Sequence, residues 1–175
     1  FDDLLESDLP TQSFIKEESS FYRALCALYL MNENSESFLS YFSQTYPLSP
    51  EWQEAHVTAA NYYFNNRRYK KVVQWLGAID ASDVSKTYKS EYYFKLAYSY
   101  WMTKDVNKAR NLFFQDLSYE GEYKNYHQYY YGHIAYDAEQ YSTALSQFTL
   151  LLNDEKFGGV VPYYLSQIYY KTGEI

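Results

Sequence analysis

Cysteine occurs once, at Cys26, in a chain of 175 residues. No internal disulfide can therefore close, and no Cys/His cluster offers the spacing of a zinc site. Glycines number 6 and prolines 4. The adjacent pair Gly158-Gly159 follows no strand pattern and lacks the Lys-Ser/Thr of a phosphate-binding loop. There is no block of Lys or Arg; 15 basic side chains face 22 acidic ones, for a net charge of −7 and a pI near 4.9. Such a balance leaves little to neutralise a phosphate backbone, which excludes nucleic acid as the expected partner. No apolar run approaches the roughly 20 residues that a membrane-spanning helix needs. The chain opens at Phe1 without an initiator Met, a basic n-region or an apolar h-region. That opening reads as a processed leader or as a cut from something larger. What the chain does have is an apolar fraction of 47%, which argues against disorder, and 24 tyrosines.

The tyrosines fall into a repeat. Ala97-x-x-Tyr100 is followed by Ala109-x-x-x-Phe113, and Gly132-x-x-Ala135 by Ala144-x-x-x-Phe148. Upstream, Ala60-x-x-Tyr63 precedes Val72-x-x-x-Leu76, and Cys26-x-x-Tyr29 precedes Phe38-x-x-x-Phe42. A further copy begins at Leu165-Ser166-x-x-Tyr169. Units then start at Ser19, Gln53, Ser90, Asn125 and Gly159, at intervals of 34, 37, 35 and 34. Apolar residues at i, i+3, i+4 and i+7 predict two helices per unit, as in Tyr93, Leu96, Ala97, Tyr100 and then Val106, Ala109, Phe113. Small residues sit where paired helices must approach closely, and Cys26, in such a slot, reads as a buried hydrophobe. Asn34 reads as the N-cap of a second helix; Ser49-Pro50-Glu51 reads as an N-cap, an N1 proline and an acidic first turn.

An aromatic, Leu-Gly/Ala, Tyr and Ala-x-x-x-Phe over 34 residues resembles the tetratricopeptide repeat (TPR) family. The resemblance implies an all-α fold, a right-handed solenoid of antiparallel helix pairs. It divides a single array over 1–175 into the end of a preceding repeat (1–18), full repeats 19–52, 53–89, 90–124 and 125–158, and the first helix of another (159–175). Phe1, Leu4, Leu5 and Leu9 read as the second helix of the earlier repeat, so the chain is expected to be a segment of a longer array. The array departs from the family at Phe38, at Ser166, and in longer connections around Asp80–Ser85 and Tyr119–Glu122.

Relatives of this kind hold peptides on the wall lined by their first helices. Carried over place by place, the resemblance points Arg23, Lys95, Tyr130 and Tyr164 into the groove, together with the twelve binding candidates: Asn61 and Phe64, then Phe94, Tyr98 and Trp101, then Tyr126, Tyr129, His133 and Tyr136, then Tyr163, Gln167 and Tyr170. Tyr22, Tyr29, Tyr63, Tyr69, Tyr93, Tyr100, Tyr131, Tyr141 and Tyr169 fall on packing places instead. Groove tyrosines have two readings. They pack one first helix on the next, or they present an aromatic, hydroxyl-rich trough to an extended peptide. Arg23 with Asn61 is superficially similar to a carboxylate clamp, but Glu91 stands where a further basic residue belongs.

No catalytic or metal site is predicted, and no cofactor. His56 occupies a structural aromatic slot, which predicts a packed, hydrogen-bonded core histidine. His127 and His133, six apart on a helix, cannot share a ligand. His133 with Asp137 at i+4 is an ordinary surface pair without a nucleophile. The expected function is a non-enzymatic scaffold for a protein or peptide partner. Two alternatives stand beside it. Phe42-Ser-Gln-Thr-Tyr-Pro47-Leu-Ser-Pro50 resembles the F-x-x-x-Y-P-x-S joints of bacterial cell-envelope repeat proteins. Tyr129–Tyr136 and Val161–Tyr170 are similar to segments of large TPR proteins of Bacteroidetes, which implies a periplasmic or envelope factor assisting outer-membrane assembly. The other alternative is a docking arm for an enzyme or sensor domain outside this segment.

Overall fold

The computed structural model of the chain describes residues 10–118 and 120–173, without the side chains of 10–12 and 87. The helix expected over Phe1, Leu4, Leu5 and Leu9 lies outside these residues. The described residues hold nine α-helices and no strand: α1 (Pro10–Tyr29), α2 (Ser35–Thr45), α3 (Trp52–Asn65), α4 (Tyr69–Leu76), α5 (Lys86–Met102), α6 (Val106–Gln115), α7 (Lys124–Asp137), α8 (Tyr141–Thr149) and α9 (Val161–Thr172). No helix among them is long and apolar enough to cross a membrane. The chain divides into two compact units between Asp80 and Ala81.

In the first unit α1 packs on α2 and α3 on α4, and both members of the first pair touch α3. Phe21, Phe42 and Ala55 form a buried cluster there, with Leu25 and Tyr46 against it. In the second unit α5 packs on α6 and α7 on α8, while α6 also meets α7 and α8 meets α9. Its principal cluster runs from Ala135, Ala144, Phe148 and Leu151 to Phe157, Val161, Leu165 and Ile168.

The repeat slots coincide with burial. Phe42, Phe113 and Phe148 have no exposed surface, and Leu76 at the same place is 1% exposed. Each such side chain contributes about 1.5–3 kcal/mol on burial. The small-residue slot of α7 has a visible cause: a Cβ on Gly132 would lie 3.0 Å from the Phe148 ring and 3.1 Å from Gln147 Cβ. There α7 and α8 approach as closely as their side chains allow.

Three helix-to-helix turns share one backbone path. After α3, α5 and α7 the chain passes through Arg67 (φ 58°), Lys104 (φ 72°) and Glu139 (φ 58°) in the left-handed region. In each turn the next residue donates its N–H back five positions: Arg68 to Tyr63 O, Asp105 to Tyr100 O and Gln140 to Ala135 O, at 2.8–2.9 Å. The left-handed residue itself donates to Phe64, Trp101 or Tyr136. These paired bonds are a Schellman ending, which satisfies carbonyls the helix would otherwise leave open. None of the three positions is glycine.

α1 keeps the same ending, with Met31 at φ 54° and Asn32 N–H on Ala27 O. It ends two residues earlier in the repeat frame, however, so residues 30–34 form a longer link to α2. Several expectations change there. Cys26 is exposed rather than buried. Tyr22 and Tyr29, expected to pack, are 58% and 64% exposed. The buried face of α1 runs instead through Phe21, Ala24, Ala27 and Leu28. The left-handed residue lies seven positions after Ala60, Ala97 and Gly132 in the other turns, and seven after Ala24 in α1; Ala24, with no exposed surface, therefore holds the small-residue slot expected of Cys26. Tyr169, also assigned to packing, is 38% exposed on α9.

Two helix starts differ as well. Asn34 stands before α2, but its side chain caps nothing, and its N–H donates to Asn32 Oδ1 at 2.8 Å. α3 begins at Trp52, two residues later than the Ser-Pro-Glu reading. Ser49 still organises the entry, with Oγ accepting from Glu51 N–H (3.2 Å) and donating to the Glu51 carboxylate (2.7 Å). The longest connection, residues 150–160, carried no sequence warning. Asp154 shapes it: Oδ1 accepts from Lys156 N–H (2.9 Å) and Phe157 N–H (2.8 Å), and Oδ2 accepts from Asn125 Nδ2 (2.6 Å).

Candidate functional site

The twelve sequence-predicted binding candidates separate by unit. Asn61 and Phe64 lie on α3 in the first unit, both half-buried. The Phe64 ring meets Tyr69 edge-on at 5.8 Å, across its own hairpin turn. The other ten lie on α5, α7 and α9 in the second unit.

Seven of those ten make ring contacts to another element, and an eighth, Tyr163, meets Tyr164 beside it on α9 at 5.6 Å. From α5, Phe94 meets Tyr126 at 5.1 Å, and Trp101 meets His133 at 5.6 Å. Tyr98 reaches α7 through Tyr130 at 5.1 Å. From α7, Tyr129 stacks on Phe157 at 4.4 Å with planes 12° apart. Tyr136 and His133 meet Tyr164 of α9 at 5.2 and 5.4 Å. Edge-to-face and offset pairs at such distances add about 0.5–1.5 kcal/mol each beyond the area they bury. The rings therefore tie α5 to α7 and α7 to α9.

Burial grades these residues. Phe94 is 7% exposed and belongs to the core. Tyr98, Trp101, Tyr126, Tyr129, His133 and Tyr136 are half-buried. Burial is the main reason the Tyr129 and Tyr130 phenols are pushed well above the usual tyrosine range; hydrogen bonding to Tyr164 and proximity to Tyr98 act in the same direction. These hydroxyls stay protonated and available as donors. Tyr163 and Tyr170 differ, at 62% and 72% exposed. With half-buried Gln167 between them at i+4, they occupy one face of α9. The candidate set thus resolves into rings that join helices and two that present their surface to solvent. Spacing alone could not separate them, because both kinds share the same helical places.

Two cations decorate the rim. Lys156 Nζ lies 4.6 Å from the Tyr126 ring centre and donates to its hydroxyl at 2.7 Å. Lys171 Nζ lies 5.8 and 5.7 Å from the Tyr136 and Tyr141 rings. A cation over an aromatic face is worth about 0.5–1 kcal/mol at an exposed site.

The histidines occupy three different environments. His56 is 2% exposed, with Nδ1 2.8 Å from Trp52 O and Nε2 3.3 Å from Ser43 Oγ. Trp52 and Trp75 flank its ring at 3.7 and 5.0 Å. This is the hydrogen-bonded core histidine expected from its slot, and burial lowers its pKa despite the bond to Trp52. His133 Nδ1 lies 3.2 Å from Asp137 Oδ2 without hydrogen-bond alignment, and its ring sits among Trp101, Tyr129 and Tyr164.

His127 is the residue whose role sequence reasoning missed. Its Nε2 lies 2.8 Å from Asp116 Oδ2, with both side chains at 0% exposure. Ser90 Oγ donates to the same carboxylate oxygen at 2.8 Å. Ser90 stands in α5, Asp116 caps the C-terminus of α6 and His127 stands in α7, so one polar node joins three helices. The residue types are those of a nucleophilic triad, but the wiring is not. Ser90 and His127 both address the carboxylate, so the hydroxyl is not paired with a base. A signal for it was present only as an Asp placed immediately after an apolar helix; the partner lies 11 residues on, across a turn.

No group of three or more His, Cys, Asp or Glu among the described residues could hold a metal ion. No family model matches the chain, and neither a curated protein nor a solved structure matches it.

Proposed function

We propose that the chain is a non-enzymatic interaction module, a right-handed solenoid of the TPR type that binds a peptide or protein segment along its first helices. Support for the solenoid comes from the three matching Schellman turns at Arg67, Lys104 and Glu139, and from the buried Phe42, Leu76, Phe113 and Phe148 at one repeat place. The observation that carries the function is the graded aromatic face of the second unit. Its inner rings are fixed by each other, and Tyr163 and Tyr170 stand out from that fixed base. A preordered tyrosine surface loses little entropy on binding, and each exposed ring offers area with a hydroxyl for peptide backbone.

An unbiased peptide library panned against the whole chain tests this reading. Enriched peptides should bind the wild type and lose at least about tenfold in affinity to Tyr163→Ala/Tyr170→Ala. Failure to enrich any sequence, or equal binding to both proteins, would overturn it.

A further inference from the structure

Within the second unit, neighbouring helix pairs meet through the same ring contact twice. The small-residue slot lies seven positions before the left-handed residue, so Gly132 of α7 and Ser166 of α9, which precedes Gly173 (φ 75°), are equivalent. A tyrosine stands two positions before each slot. Tyr130 meets Phe94, Tyr98 and Trp101 of α5 at 6.1, 5.1 and 5.2 Å and stacks on Phe113 of α6 at 5.6 Å. Tyr164 meets Tyr129, His133 and Tyr136 of α7 at 6.4, 5.4 and 5.2 Å and stacks on Phe148 of α8 at 5.0 Å. The three receiving residues lie three before, one after and four after the slot of their own helix, Ala97 or Gly132. A second ring, nine positions before the slot, follows the tyrosine: Tyr123 stacks on Phe94 at 5.1 Å, and Phe157 on Tyr129 at 4.4 Å.

This plug and seat leave one half of each kind open. On α9 the seat places are Tyr163, Gln167 and Tyr170, and the two tyrosines are 62% and 72% exposed. On α1, whose slot is Ala24, the plug places are Tyr22 and Ile15, 58% and 55% exposed. Seven apart in a helix, these two share a face. Ser19 and Cys26 flank Tyr22 and are exposed as well. The same flanking places hold His127 and Ile134 in α7, and Val161 and Ile168 in α9, all buried. In α3 and α5 the plug place holds Thr58 and Lys95, neither of them a ring.

We infer that the open seat on α9 receives the open plug on α1 of a second copy of this chain. The inference rests on the reading of Tyr163 and Tyr170 as a contact surface, and it names what meets them. The chain carries both halves of a contact that it already makes twice within itself. None of the five side chains is charged, so rings and hydroxyls meet without burying an unpaired charge. Among the described residues no second helix follows α9 to add the phenylalanine that α6 and α8 supply, so the contact is weaker than the internal ones. It joins two different surfaces. Each added copy therefore brings a further plug and seat, and association runs on beyond two or closes into a ring.

Sedimentation velocity on the whole chain, from about 1 μM to about 1 mM, provides the test. The wild type should self-associate as concentration rises. Tyr22→Ala keeps its seat and Tyr163→Ala/Tyr170→Ala keeps its plug; each should weaken association by about tenfold or more. Mixed together, the two variants should form a one-to-one complex, because one intact plug meets one intact seat. An interface that pairs like with like could not be restored in this way. All three tyrosines are exposed, so the variants are expected to fold, and circular dichroism checks that they do. Tyr22→Ala should also keep its affinity for a library-selected peptide, which separates the two readings. Failure of the peptide library with self-association intact would overturn the peptide reading alone. A wild type that stays monomeric to about 1 mM, association that either variant leaves intact, or a mixture that stays monomeric would overturn this inference.

Discussion

At the scale of single residues, the account rests on positions where one atom decides. A Cβ on Gly158 would stand 2.6 Å from Asp154 O and 2.8 Å from Leu152 O, both backbone atoms, while one on Gly159 would meet nothing. Gly158→Ala should therefore cost about 1–3 kcal/mol by overpacking, and Gly159→Ala should be neutral or slightly stabilising. Denaturant melts of the two variants give a direct comparison. The left-handed turn residues predict the opposite sign. Arg67 and Lys104 hold a conformation that disfavours any side chain, so Arg67→Gly or Lys104→Gly should gain roughly 0.5–1 kcal/mol, after the extra unfolded-state freedom of glycine is discounted. A loss of stability in both would mean that these side chains make compensating contacts. Their type gave no warning of this: Arg, Lys and Glu are ordinary on a helix surface, and a positive φ is imposed by the short connection between two packed helices.

At the scale of elements, the helices were legible because Phe42, Leu76, Phe113 and Phe148 recur four residues after Phe38, Val72, Ala109 and Ala144, and the structure buries all four. What stayed illegible depends on neighbours outside each helix. Tyr22 and Cys26 read as packing residues by register, yet the helix ending at Met31 places Ala24 in the buried slot, two residues earlier, and turns Tyr22 and Cys26 outward. Residues 150–160 read as ordinary chain, because the turn is held by the Asp154 carboxylate bonding to backbone a few residues on. The Asp116–His127 node lay furthest from view, since its three contributors come from α5, α6 and α7 and no local pattern announces it. Removing one partner from a buried pair leaves the other unpaired. Asp116→Ala should accordingly destabilise the second unit by about 3–5 kcal/mol, measured by chemical denaturation. A change below about 1 kcal/mol would show that His127 finds other company.

At the scale of the whole molecule, buried tyrosines link stability to alkali. Burial, the largest cause, raises the phenols of Tyr129 and Tyr130, and raises those of Tyr63 and Tyr123 too. A group whose pKa is higher folded than unfolded stabilises the fold while protonated in both states. That contribution is complete below the ordinary tyrosine pKa of about 10 and is lost as pH rises beyond it. The denaturation midpoint should therefore fall above about pH 10, and Tyr130→Phe should reduce the fall. A midpoint independent of pH across that range would contradict the burial of these hydroxyls. His56 adds the complementary limb: its lowered pKa favours folding above about 6.5, a gain that diminishes as pH falls and the unfolded chain takes up the proton.

The central claim is a division of labour within one set of tyrosines, inner rings joining helices and outer rings meeting a partner. It is tested most directly by measuring, for one library-selected peptide, both affinity and thermal melting in wild type, Tyr129→Ala and Tyr163→Ala/Tyr170→Ala. Tyr129 stacks on Phe157, so its loss should lower stability by about 2 kcal/mol or more. The double variant should melt as the wild type does and bind at least about tenfold more weakly. Unchanged affinity in the double variant, or a melting loss there as large as that of Tyr129→Ala, would contradict the division and leave all these rings as packing.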